Sequence, residues 1–270
     1  MRSKLALLLA FVVTLLCGCT TAPLPSPNSD PSTTLPTVAT EAEETEAPTE
    51  AATEPSTEAA TEESSQEPET EAAEPFVYRG LVEILAYDDS IIVDQKYATA
   101  DNFTGEAQYD RTLCLVNEDI VPMLLQVSEL AKEHGLRLKI WDAYRPISVQ
   151  QALHDSAPAE LSAYVPAPGP YSMHARGITV DVTLCDEFGN ELDMPTDFDD
   201  FSERAHSDYA GATEEQIANR ELLNEIMSTA GFKRSSLEWW HFDGPNRDQY
   251  EILYISFAEF EAAKEETTGR

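Results

Sequence analysis

Two short stretches hold most of the side chains in this chain that could do chemistry. SMHARGITVD, residues 172–181, sets His174 and Asp181 seven positions apart around Gly177, and SLEWWHF, residues 236–242, sets Glu238 and His241 three apart among aromatic residues. After Gly177 the residues ITVDVTL alternate, so Ile178, Val180, Val182 and Leu184 share one face of a strand, leaving Thr179, Asp181 and Thr183 on the other. An ionised carboxylate on so apolar a strand must reach water or meet a cation. The glycine turn lets the His174 ring fold back beside Asp181. Taken alone, such a pair is more often a hydrogen bond than a metal site.

The second stretch changes that reading. Residues three apart approach a common point on a bent or helical path but face opposite ways in a regular strand, so an irregular turn is expected around Glu238. His174, Asp181 and His241 together offer two nitrogens and one oxygen, a donor set suited to one tetrahedral Zn²⁺ per chain with water in the fourth place. Glu238 is then free to act as a general base. Either stretch by itself also fits an aromatic core segment with a satisfied His or Glu. A third stretch, WDAYRP at 141–146, adds Arg145, which keeps its charge and can hold an oxyanion or a carboxylate by a forked contact. A surface arginine bridging to a neighbouring Asp fits that motif equally well. Asp142 can orient a ligand histidine or cap the turn.

These residues need a scaffold. LVEILAY (81–87) and LRLKIW (136–141) alternate as half-buried strands, with Leu136, Leu138 and Ile140 on one face and Arg137, Lys139 and Trp141 on the other. NEDIVPMLLQVSELAKEHG predicts a helix that tolerates Pro122 in its first turn and ends at Gly135. Val149 to His154 predicts a second. TEEQ at 213–216 has capping-box spacing and starts a third, with Ile217, Leu223, Ile226 and Ala230 on one face before Gly231. Strands and helices are interspersed without regular alternation, which favours an α+β fold: a central, mainly antiparallel sheet flanked by helices, with the metal site in a cleft. The Asp-rich stretch 186–211 lacks the spacing of an EF-hand and reads as a solvated loop beside that cleft.

Composition divides the 270 residues into three zones. Residues 1–19 carry Arg2 and Lys4 ahead of LALLLAFVVTLL, a run too short to span a bilayer as a helix, and read as an export signal. It ends in LLCGC, which resembles a bacterial lipobox with Cys19 as the lipidated residue. Two acyl chains there suffice for stable anchoring to the outer face of the cell membrane. Residues 20–75 are almost entirely Thr, Glu, Ala, Ser and Pro with no Lys, Arg or aromatic residue, and are expected to form a disordered spacer. Residues 76–270 hold every Trp, Tyr and His, enough for one compact domain. Their 36 acidic against 15 basic side chains argue against a nucleic-acid partner. Cys114 and Cys185 can pair or sit as small core residues, and spacing does not decide between them.

In register over most of residues 76–270, KYATADNFTG (96–105), WDAYRP, SMHARGITVD, MPTDFDDFSERAH and SLEWWH resemble the zinc D-alanyl-D-alanine dipeptidases of the VanX type. The resemblance implies zinc ligands at His174, Asp181 and His241, a catalytic glutamate at Glu238 and a transition-state arginine at Arg145. It places Ser172, Tyr97 and Tyr109 at positions associated with substrate binding or pocket shape. His206 is expected near the cleft. The implied reaction is zinc-dependent hydrolysis of D-alanyl-D-alanine or similar short wall-derived peptides, here by an exported, lipid-anchored protein. Two alternatives remain: a D,D-carboxypeptidase acting on longer peptidoglycan stems, and a non-catalytic surface lipoprotein that captures peptide or metal.

Overall fold

The computed structural model describes residues 74–269, so the export signal, Cys19 and nearly all of the spacer lie outside the described residues. In chain order the described elements are β1 (Leu81–Glu83), β2 (Ile92–Val93), β3 (Leu115–Asn117), α1 (Val121–Glu133), β4 (Arg137–Asp142), α2 (Ile147–Ser156), β5 (Thr179–Cys185), α3 (Glu214–Thr229), β6 (Lys233–Arg234), β7 (His241–Asp243) and α4 (Phe257–Thr268). β1 and β3 form a small antiparallel ladder. The main sheet runs β2-β4-β5-β7-β6 and is antiparallel except for the β2/β4 pair. This is the expected α+β architecture.

Helices α1 and α3 pack together, and α1 lies against β4. α1 buries Val121, Leu124, Val127 and Ala131, a stripe at helical spacing, and keeps Pro122 in its first turn where the missing N–H has no intrahelical partner to lose. α3 begins with the predicted capping box: Thr213 Oγ1 accepts from Gln216 N at 3.1 Å, and Gln216 Oε1 accepts from Thr213 N at 3.1 Å. The apolar side chains of α1, α3, β4 and β5 form one core. A second, built on Tyr144, Leu153, Phe257 and Phe260, joins α2 and α4 to β1 and β3.

Two local expectations are corrected. LVEILAY pairs only over Leu81–Glu83, because Ile84–Ala86 winds into a 3-10 turn that leaves Leu85 and Tyr87 exposed. The second face of β4 is also covered: Lys139 is buried with its Nζ on Glu191 at 3.0 Å, and Trp141 Nε1 donates to the same carboxylate at 3.0 Å. Cys114 and Cys185 are both buried and unpaired.

Candidate active site

The sheet register creates the site. Asp181, the third residue of β5, pairs with His241, the first residue of β7, and on its other side with Asp142, the last residue of β4. Three polar residues thus stand abreast across three adjacent strands. Strict alternation would not have put Asp142 there, because it would share the core-facing side with Leu138 and Ile140. A register shift between Ile140 and Asp142 inserts Trp141 as an extra residue and turns the Asp142 side chain onto the Asp181 face.

His174 arrives from the turn before β5. Gly177 closes that turn at φ 72°, and a Cβ there would sit 2.9 Å from Leu81 and 3.0 Å from the Asn117 backbone nitrogen, so only glycine fits. Glu238 lies on the irregular turn before β7, where the His241 N–H reaches back to the Glu238 carbonyl. Trp239 and Trp240 are both buried, and Trp239 Nε1 donates to Thr196 Oγ1 at 2.9 Å. With those rings anchored in the core, Glu238 and His241 both face one cavity.

The His174, Asp181 and His241 donor atoms all lie within 4.8 Å of one another. His174 Nε2 is 3.4 Å from Asp181 Oδ2, and His241 Nδ1 is 3.0 Å from Asp181 Oδ1. Tetrahedral bonds of ~2.0–2.1 Å place neighbouring donor atoms ~3.3 Å apart, so the set fits zinc with little adjustment. The other ring nitrogens are held in place. His174 Nδ1 donates to the Ala143 carbonyl at 2.8 Å, and His241 Nε2 lies 3.3 Å from Asp243 Oδ1, which also accepts from Thr179 Oγ1. Such outer contacts fix the tautomer that a metal requires.

Charge points the same way. Burial opposes ionisation of Asp181, but His174 and His241 outweigh it and hold the carboxyl well below its ordinary range. Burial disfavours a charged His241, yet hydrogen bonds to Asp181 and Asp243 lift its pKa well above the ordinary value. Burial raises the Glu238 carboxyl to about 8, with His241 pulling it down and Asp181 pushing it up. Glu238 lies 3.9 Å from His241 Nδ1. This corner holds more acid than base, with Asp181 buried and Glu238 and Asp243 partly so, and gains from a cation.

Arg145 occupies the opposite wall. Its Nε donates to Asp142 Oδ2 at 2.9 Å and one terminal nitrogen reaches the same oxygen at 2.7 Å, while the other donates to Gln150 Oε1 at 2.8 Å. The guanidinium lies 4.8 Å over the Tyr97 ring and 3.7 Å from Asp181 Oδ2. Tyr97 and Ser172 line the cavity, whose volume is about 310 Å³. Tyr109 does not: it stands behind Asp142 and donates to its Oδ1 at 2.6 Å. His206 lies one layer out, its Nε2 3.0 Å from the hydroxyl of Tyr164, which does line the cavity.

Residue reasoning missed Asp199, Gln150 and Asp243. Asp199 belongs to the Asp-rich stretch read as solvated, but it turns inward at φ 59°, accepts from Tyr97 Oη and the Phe103 N–H, each at 3.1 Å, and lines the cavity. Burial lifts its carboxyl to about 7 against the pull of the Phe103 N–H. Nothing in DFDDF separates it from Asp197 or Asp200, so no local signal could have found it.

Comparison with known proteins gives the family. Residues 79–260 match the family model described as D-ala-D-ala dipeptidase. The D-alanyl-D-alanine dipeptidase of Escherichia coli K12 is 39% identical over 180 residues, covering 67% of this chain and 92% of that protein. The enzyme of the same description from Enterococcus faecium is 32% identical over 179 residues, covering 58% and 89%. Among solved structures, VanYB in complex with D-alanine-D-alanine is 19% identical with a TM-score of 0.33, covering 56% of this chain and 76% of that one.

Proposed function

This chain belongs to the D-Ala-D-Ala dipeptidase family, and from that premise we propose that it is a zinc peptidase hydrolysing D-alanyl-D-alanine or similar short wall-derived peptides outside the cell membrane. The observation that carries this reading is convergence: three metal donors, Glu238 and Arg145, drawn from distant parts of the chain, surround one cavity. His174, Asp181 and His241 would hold the zinc ion. Bound there, zinc supplies Lewis-acid polarisation of the scissile carbonyl and lowers the pKa of an attacking water.

The protein's own groups do the rest. Glu238 takes the water's proton and delivers it to the leaving amine; the nearby dication favours its carboxylate form, against the burial that otherwise raises its pKa. Arg145 uses three of its five N–H groups on Asp142 and Gln150, which leaves two for the oxyanion of the tetrahedral intermediate. Asp199, on the cavity wall, is placed to accept a free amino terminus, which favours a dipeptide over a longer stem. The family's chemistry and the presence of a proton shuttle set aside the binding-only alternative.

Rates on D-Ala-D-Ala, its N-acetylated form and a D-Ala-D-Ala-terminated tripeptide, with and without chelator, test the reading. The free dipeptide should be cleaved fastest, and chelation should stop the reaction. Equal rates on the blocked substrates would instead favour a D,D-carboxypeptidase. Export and anchoring through Cys19, with residues 20–75 as a stalk and 76–270 as the catalytic domain, rest on the lipobox resemblance and composition. Membrane fractionation should find the wild type in the membrane and Cys19→Ala in the soluble fraction; a wild type that is soluble when expressed in a bacterium would end that part of the reading.

A further inference from the structure

Gln150, in the first turn of α2, is buried with 4% exposure and reaches two partners. Its Oε1 accepts from an Arg145 terminal nitrogen at 2.8 Å, and its Nε2 donates to the Pro166 carbonyl at 2.9 Å. The orientation of that amide is fixed by chemistry, because a guanidinium can only donate and a carbonyl can only accept. One turn further along α2, His154 Nδ1 donates to the Val165 carbonyl at 2.9 Å. Side chains four apart on a helix share a face, so α2 grips two consecutive carbonyls of the segment that follows it. That segment brings Tyr164, Val165, Pro166, Tyr171 and Ser172 to the cavity.

We propose that Gln150 is a positioning residue for the hydrolysis: it orients the Arg145 guanidinium and ties it to the outer wall of the substrate cavity. Asp142 holds only the Nε edge of Arg145. Gln150 holds the far nitrogen and leaves its second N–H free for the oxyanion. Without Gln150 the guanidinium pivots about its Asp142 contact, and the wall loses one of its two tethers to α2. His154 tethers the wall without touching Arg145, so the two residues separate the two roles.

The proposal rests on Arg145 stabilising the oxyanion, and its test keeps the two apart. kcat and KM on D-Ala-D-Ala are measured for the zinc-loaded full chain as wild type, Gln150→Leu, Arg145→Lys, the double variant and His154→Leu. Gln150→Leu should lower kcat ~10-fold, as expected for loss of a buried hydrogen bond to a charged group. In the Arg145→Lys background it should lower kcat less than about 2-fold, because the two side chains act as one unit. His154→Leu should raise KM with kcat little changed. An equal kcat loss in both backgrounds, or a Gln150→Leu variant with wild-type kcat, would overturn the proposal. A wild type that does not cleave the dipeptide would refute the parent reading instead. Should Gln150→Leu fail to fold, Gln150→Asn, too short to span both partners, carries the same test.

Discussion

The two walls of the cavity solve their electrostatics differently. The arginine wall is complete in itself: the charges of Arg145 and Asp142 face each other, Gln150 and Tyr109 satisfy further positions, and Tyr97 lies against the guanidinium. The metal wall is incomplete. Asp181, Asp243 and Glu238 gather around two imidazoles that a metal needs neutral, and among the described residues no arginine or lysine pairs closely with Glu238. One wall is therefore balanced in charge before anything binds, whereas the other carries an excess of acid that a cation would offset. Rigid transition-state donors beside a site loaded by metal make chemical sense, since the oxyanion donor must not move during the reaction.

The sharpest way to break this contrast is to remove the cation. Chelation should take dipeptide hydrolysis to background, with zinc restoring the wild type but not His241→Ala; retained turnover in metal-free protein would refute the metal wall altogether. Next in size, Glu238→Gln should cost about 10³-fold in kcat while zinc content stays at one per chain, the scale set by general acid–base catalysis. Loss of zinc in that variant would make Glu238 a ligand instead of a base. Arg145→Lys keeps the charge beside Asp142 but loses the fork, and should cost about 10²-fold in kcat with melting temperature little changed. A large drop in melting temperature with intact kcat would mean that the arginine wall serves stability alone.

Residue type and spacing made part of this site legible. His174, Asp181, Glu238, His241 and Arg145 stand in local stretches that each fit a structural role alone and point to a metal site only in combination, and the interspersed elements give the α+β class. What could not be read depends on pairing. Residue type already offers Asp142 as a group that orients a ligand histidine or caps the turn, but alternation argues for the opposite face, and it reaches the site through a register shift at Trp141. Asp199 looks like any acid in a polar loop until Tyr97 and the Phe103 N–H are seen to hold it. Tyr109, at a position associated with substrate binding or pocket shape, donates its hydroxyl to Asp142 behind the cavity wall, a contact that only the folded pairing reveals. The apolar alternation of β1 continues through a 3-10 turn, where period alone does not distinguish turn from strand.

The smallest effect is also the one most specific to the incomplete wall. Glu238 has a folded pKa of about 8 against an ordinary 4.5, so between those values the folded metal-free protein keeps a proton that the unfolded chain has released. Stability then falls as pH rises through that window. His241 acts in the same direction: its raised pKa gives stability that is full below its ordinary 6.5 and lost as pH climbs through the folded value. Asp181 has the opposite sign, contributing above its ordinary 3.8 and losing that contribution in acid. Asp199, raised from 3.8 to about 7 by burial, adds to the loss, so the metal-free protein should be most stable between about pH 4 and 5 and lose on the order of a few kcal/mol toward pH 8.5. Zinc requires a neutral His241 and offsets the charge on Glu238, so the loaded protein should lack the alkaline loss, and Glu238→Gln should remove part of it from the metal-free form. Thermal melts at about pH 5.5 and 8.5, with chelator and with zinc, decide the matter. Parallel pH slopes in the two forms would show that the buried acids around Asp181 need no cation, and the difference between the two walls would collapse.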